Sequence, residues 1–196
     1  MSNPCPPEQA IVANLALGDP VANPRGGKAC SITPAIRLTL QDVTTPFQVT
    51  AYDGASSRKS LDLRSTPQLR EFSARLDAKL EPLARRLGNV TYTSLLKPQK
   101  GDYEPLVRCK ITISETGRSP TKFFEEGTKR RLTDEEIRDL DWRDCSFNVL
   151  LRISSAWLQG SSFGPIATPE AIVVKAAGGF PEALEFAGAS EELPDF

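Results

Sequence analysis

Apolar residues recur at every second position in several stretches of the chain. Ile36, Leu38 and Leu40 alternate with Arg37 and Thr39, and Phe47, Val49 and Ala51 alternate with Gln48 and Thr50. A period of two marks half-buried strands, because successive side chains of an extended chain point to opposite faces. The linker 41–46 between these two runs predicts a hairpin. Tyr52-Asp53-Gly54 then turns the chain into a third strand over 60–63, with Leu61 and Leu63 inward. Val107, Cys109, Ile111 and Ile113 alternate with Arg108, Lys110 and Thr112, and Phe147, Val149, Leu151 and Ile153 alternate with Ser146, Asn148 and Arg152. A final strand is expected over 171–176.

One segment has the helical period. Pro67 follows Thr66, a natural N-cap, and Leu69, Phe72, Leu76, Leu80, Leu83 and Leu87 fall on one stripe. Pro82 predicts a kink or a restart, and Gly88-Asn89 supplies the stop. The opposite face carries Arg70, Arg75, Lys79, Arg85 and Arg86, read as a solvated face. Residues 1–30, rich in Pro, Gly and Asn, are expected to form a mobile N-terminal segment, with one apolar stretch over 11–17. Residues 114–144 form a long excursion between strands, with a capping box of Thr133 and Glu136 that starts a short helix. Short strands, one helix and one long excursion predict a mainly β fold, barrel-like or sandwich, with a single packing helix.

Composition narrows the chemistry. The 196 residues are 39% hydrophobic and 25% charged, the mix of one globular domain. No apolar run approaches the ~20 residues of a membrane helix, and no charged-then-apolar leader is read at the start, so an intracellular protein without membrane contact is expected. There is no histidine, which removes imidazole triads and the common zinc sites. Cys5, Cys30, Cys109 and Cys145 have no Cys-x-x-Cys spacing and read as reduced thiols, Cys109 and Cys145 as core residues and Cys5 as exposed. Asp134, Glu135, Glu136, Asp139, Asp141 and Asp144 suggest a magnesium nuclease, but the first three fit a helix first turn and the rest alternate with Arg138 and Arg143. Gly26-Gly27-Lys28 lacks the phosphate-loop spacing, and Gly160 to Gly164 lacks a histidine partner for a nucleophile. No catalysis and no cofactor are expected.

Charge is divided unevenly. Of the net −1, residues 181–196 carry −5 through Glu182, Glu185, Glu191, Glu192 and Asp195, which leaves the first 180 residues at +4. A basic body with an acidic tail points to an anionic partner. Single-stranded nucleic acid requires a basic groove and aromatic platforms. Lys97, Lys100, Arg108, Lys110 and Arg152 lie on or beside the strands, with Lys129, Arg130 and Arg131 in the excursion. Tyr92, Tyr103, Phe123, Phe124 and Trp157 are the candidate stacking residues. Against this, Trp157 and Phe47 read as core residues, Phe123-Phe124 as an anchor for the long loop, and basic strand residues as ordinary edge protection.

Two resemblances add to this reading. Ser190-Glu191-Glu192-Leu193-Pro194-Asp195-Phe196 resembles the acidic, Phe-ending tails of replicative single-strand-binding proteins from bacteria and short-tailed phages. That resemblance implies that Glu191, Glu192, Asp195 and Phe196 dock replication proteins and that the tail competes with DNA. Gly26-Gly27-Lys28, Pro46 to Gly54, Lys59 to Leu63, Phe72, Leu76-Asp77, Leu96-Lys97-Pro98, Tyr103 to Ile111, Trp157 and Phe163-Gly164 occur in an order that resembles single-stranded-DNA-binding proteins of large DNA viruses of algae and protists, with algal relatives. This second resemblance covers about residues 26–176 and implies an oligonucleotide-binding (OB-like) barrel without catalysis. The long excursion is a departure from its simplest form. The domain is accordingly placed at 31–177 and the tail at 178–196. The expected function is sequence-independent single-stranded DNA binding in replication, recombination or repair, in a host nucleus or viral replication compartment, with a homo-oligomer as a further expectation. The rival is a β-rich structural or adaptor protein of virion assembly.

Overall fold

The computed structural model describes residues 3–22, 27–51, 58–88, 90–99, 101, 103–113 and 121–176. In chain order its strands are β1 (Ala16–Leu17), β2 (Val21–Ala22), β3 (Lys28–Thr44), β4 (Thr50–Ala51), β5 (Arg58–Arg64), β6 (Thr91–Tyr92), β7 (Leu96–Lys97), β8 (Leu106–Thr112), β9 (Lys122–Glu125), β10 (Cys145–Gln159) and β11 (Ser162–Ala176). Helix α1 (Pro67–Ala84) lies between β5 and β6, and α2 (Asp134–Asp139) between β9 and β10.

Two long strands, β10 and β11, form a hairpin across Gly160-Ser161, where Gly160 has φ 56°, a conformation that costs glycine little because it lacks Cβ. β3 pairs antiparallel with the other edge of β10, and β8 pairs with β5. The main path runs β1-β3-β10-β11-β8-β5-β4, with β2 on β3, β6 and β9 on β11, and β7 on β8. The long strands carry register shifts, including one near Asp42 (φ 51°), one at Ser154 and one at Glu170. Bulges of this kind bend and twist a sheet. Here the sheet curls so far that β3 packs against β5, giving a half-barrel.

The curl closes over α1. Leu61, Leu63, Val107, Cys109, Ile111, Phe147, Val149, Leu151 and Ile153 are buried in one cluster with Leu69, Phe72, Leu76 and Leu80. Thr66 Oγ1 accepts the Leu69 backbone N–H at 3.2 Å, the cap that its position in the sequence implies. The helix passes through Pro82 without restarting, because Pro82 falls in the last turn and forfeits only one helical bond; a 3-10 turn (Arg85–Leu87) and Gly88 at φ 112° end it. The molecule is thus mainly β, a curled half-barrel with one main helix, and the strand periods and the helical stripe predict both the β content and that helix.

Other expectations are corrected. No hairpin joins 36–40 to 47–51: β3 is one strand of 17 residues, and β4 pairs instead with β5. Phe47 is not core but 51% exposed. The excursion 114–144 is not a loop over its described part. β9 adds to β11 in parallel, and the Thr133–Glu136 capping box starts α2 as predicted. Trp142 is buried, edge-on to Phe123 at 6.0 Å and stacked on Phe147 at 5.6 Å. Residues 3–22, expected to be mobile, are docked: Cys5 bridges to Leu38, Ala10 and Leu15 enter the core, and Arg75 donates to the carbonyls of Pro7 and Ala10 at 2.7 and 3.1 Å. Cys5 is accordingly half-buried rather than exposed.

Candidate nucleic-acid interface

Strand alternation and ladder register together decide which basic residues share a face. On β8, Val107, Cys109 and Ile111 point into the core, so Arg108 and Lys110 point out. Residues directly opposite in a ladder share a face. On that rule Asp62 and Ser60 of β5 stand beside Arg108 and Lys110, while Arg64 of β5 and Lys97 of β7 both stand opposite Leu106. Across β11, Ala167 aligns with Cys109 and with Ile153 on the inner side, which places Thr168 and its partner Arg152 on the outer side. Arg152 in turn pairs with Arg37 of β3. The outer face therefore carries Arg37, Arg152, Arg108, Lys110, Lys97 and Arg64, spread over strands β3, β10, β8, β7 and β5, with β11 between β10 and β8. At the usual strand spacing this row is roughly 15–20 Å wide.

Two carboxylates interrupt the row. Asp62 grips Arg108 at two points, at 2.8 Å to both Nε and Nη2. Glu170 reaches Arg37 Nε at 2.8 Å and Arg152 Nη1 at 3.5 Å. The Arg108 and Arg152 side chains remain 45% and 48% exposed. The Arg152–Glu170 pair is open to water and therefore weak, so the Arg152 guanidinium can exchange its carboxylate for a stronger anion.

The aromatic candidates separate sharply. Trp157 lies opposite Ala29 and Gly164, beyond the Ser154 bulge, on the outer face with Arg152. It is half-buried and outside the core clusters. Its indole rests over Gly164: a Cβ built there would meet Trp157 Cζ2 and Nε1 at 3.1 Å. The bare glycine at 164 is what lets the ring lie against the sheet. The reading of Trp157 as a core residue is thereby corrected. Tyr103 is 77% exposed and sits three residues before Leu106, the residue opposite Lys97 and Arg64, and so within ~11 Å of Leu106 by chain length alone. Tyr92 is only half-buried but committed: its hydroxyl donates to Asp77 Oδ1 at 2.7 Å and its ring packs on Phe163 at 6.1 Å. Burial, with the Asp77 hydrogen bond, pushes its phenol pKa far up.

Phe123 and Phe124 are 1% and 0% exposed, which corrects their place among the stacking candidates. On β9 they alternate, Phe123 into the main core and Phe124 into a smaller cluster with Leu150, Ala171 and Val173. They anchor the excursion, the other reading their sequence allows. The basic run at 129–131 lies outside the row. Arg130 is held by Glu136 at 2.8 and 3.1 Å, which raises its pKa and lowers that of Glu136, and by Glu125 at 3.3 Å. Lys129 (φ 59°) and Arg131 lie on the turn after β9, Arg131 bridging to Phe124. Lys100, Glu191, Glu192, Asp195 and Phe196 lie outside the described residues. Of the acids at 134–144, Glu136 and Asp141 serve capping and ion pairing, and among the described residues no three metal-ligating side chains gather.

The candidate interface thus gathers Lys97, Arg108, Lys110, Arg152 and Trp157 from the sequence-based set and adds Arg37 and Arg64. Arg37 carried the same signal as Arg108, a base alternating with core residues. No family model matches the chain, and no curated protein matches it. Among solved structures, it is similar to the C-terminally truncated single-stranded DNA-binding protein from bacteriophage Enc34, with 11% identity, 85% of this chain and 97% of that chain covered, and a TM-score of 0.49. The same phage protein in complex with ssDNA matches at 10% identity and TM-score 0.48, with coverage of 84% and 97%.

Proposed function

We propose that this chain binds single-stranded DNA across the outer face of the half-barrel, without sequence preference, in replication, recombination or repair. One observation carries the reading. Ladder register aligns Arg37, Arg152, Arg108, Lys110, Lys97 and Arg64 on a single face, with a half-buried indole on the β10 arm and an exposed tyrosine near the β7–β8 end. Bases supply phosphate attraction, and aromatic faces supply stacking that any base satisfies. The outer strand face is also where OB-folds take oligonucleotides. The acidic segment 181–196 competes for the same face and docks protein partners.

Fluorescence anisotropy with labelled oligo(dT), the matching duplex and the matching RNA tests this. Single strands should bind more tightly than duplex at moderate salt, because only unpaired bases can stack. Equal affinity for single strand and duplex, or no binding to either, would overturn the proposal and favour an adaptor role.

A further inference from the structure

At one point on the outer face two guanidinium groups share a single carboxylate. Arg37 of β3 and Arg152 of β10 stand directly opposite each other in the ladder. Glu170 has no partner on β10: Leu150 pairs with Ala171 and Leu151 with Pro169, so residue 170 is the extra residue of a bulge. Bulges re-aim side chains, and this one turns the Glu170 carboxylate onto both arginines, Oε2 on Arg37 Nε at 2.8 Å and Oε1 on Arg152 Nη1 at 3.5 Å. The side chains of Arg37, Arg152 and Glu170 are 25%, 48% and 29% exposed, so the cluster opens to solvent. Asp62 and Arg108 differ, forming a two-point fork with Asp62 only 12% exposed.

We propose that Arg37 and Arg152 form one phosphate seat and that Glu170 fills it until a phosphodiester of a bound single strand takes its place. This deepens the proposed DNA-binding reading and rests on it, adding Arg37 and Glu170 to the interface. A carboxylate and a phosphodiester are both anions with oxygens suited to guanidinium forks. Both cannot occupy the seat without like-charge repulsion, and the longer bond to Arg152 gives way first. Glu170 then returns to water, where an exposed carboxylate is well hydrated. In the free protein it keeps two like-charged arginines side by side, at the cost of weaker binding.

The test is a cycle of oligo(dT) titrations across salt with the full chain, Glu170→Gln, Arg37→Gln/Arg152→Gln, and all three changes together, each checked by thermal melting. Glu170→Gln should tighten binding ~3–10-fold at low salt, with the gain shrinking as salt screens it. Losing both arginines should weaken binding and lower the salt slope by about 0.7, the share of one phosphate on a single strand. In that background Glu170→Gln should bring no gain, because pairs that act together are non-additive. The seat is overturned if Glu170→Gln leaves affinity unchanged or weakens it, or if its gain persists without the arginines. A slope change of about 1.4 would mean two separate phosphates and overturn it too. If the double arginine variant does not fold, the more exposed Arg152→Gln alone takes its place in the cycle. Binding by the unaltered chain separates the two readings: with no binding both fall, and with binding but a failed cycle only the seat falls.

Discussion

Trp157 and Phe124 are both aromatic residues on strands of one sheet, and their neighbours give them opposite parts. Phe124 is fully buried against Leu150, Ala171 and Val173, so Phe124→Ala should destabilise the fold by roughly 3–5 kcal/mol while the folded fraction keeps its oligo(dT) affinity. Trp157 rests half-buried over Gly164 and outside the core clusters, so Trp157→Ala should destabilise the fold less than Phe124→Ala but lose about 1–3 kcal/mol of oligo(dT) binding, the worth of one stacked base. Paired melting and anisotropy curves check both, and the reverse pattern would return Trp157 to the core. Arg108 and Lys110 alternate with buried Val107, Cys109 and Ile111, so Arg108→Ala/Lys110→Ala should fold normally. Its salt slope should fall by about 0.7 for each phosphate that the variant no longer neutralises. An unchanged slope would move the track away from β8.

Among the elements, α2 is held by a joint of three groups. Thr133 Oγ1 accepts the Glu136 backbone N–H at 3.2 Å, Glu136 Oε2 accepts the Thr133 backbone N–H at 2.8 Å, and Arg130 grips the same carboxylate. The Arg130 hydrogen bond, ahead of the capping bonds, holds the Glu136 pKa below its ordinary 4.5 in the folded protein. A depressed folded-state pKa contributes stability that is full above the unfolded value and is lost as pH falls through the folded one. Melting temperature should therefore drop as pH is lowered below about 4.5, and Glu136→Gln should remove that part of the drop while lowering stability at pH 7. If both proteins lose stability identically as pH falls through that window, the joint does not matter to the fold. The same joint explains why 121–144 is structured: β9 joins β11, and Trp142 joins the core, because Phe123, Ile137 and Trp142 bring apolar surface with them.

For the molecule as a unit the governing quantity is the division of charge, +4 over the first 180 residues against −5 over 181–196. A tethered acidic segment beside a basic face acts as a local competitor for it. A chain ending at Gly179 should bind oligo(dT) more tightly than the full chain, and the difference should be largest at low salt, since screening reaches a Debye length of ~8 Å at physiological strength. Equal or weaker binding by the shortened chain at every salt concentration would remove the acidic segment as a competitor. Curling of the sheet adds a second effect at this scale, because it turns the inner faces of β3, β10, β8 and β5 onto α1 and leaves Arg37, Arg152, Arg108 and Lys110 on the outer face, beside the patch that Phe124 covers.

Local periods were legible in the amino-acid order alone. Leu61 and Leu63 inward, Arg108 and Lys110 outward, the Thr66 cap, the apolar stripe of α1 and the Thr133–Glu136 box all follow from interactions within a few residues. The charge division was legible too, since it needs only counting. Register came from long-range pairing, because nothing local in 36–51 says whether β3 turns back on itself or runs on to pair with β10. The bulges at Ser154 and Glu170 likewise arise from pairing with a distant strand, and they decide that Trp157 faces outward and that Glu170 reaches Arg37, 133 residues away in the chain. An alternating pattern assigns a residue to one of two faces, but which strands lie side by side, and so which bases form one row, depends on neighbours the chain meets only when the sheet closes.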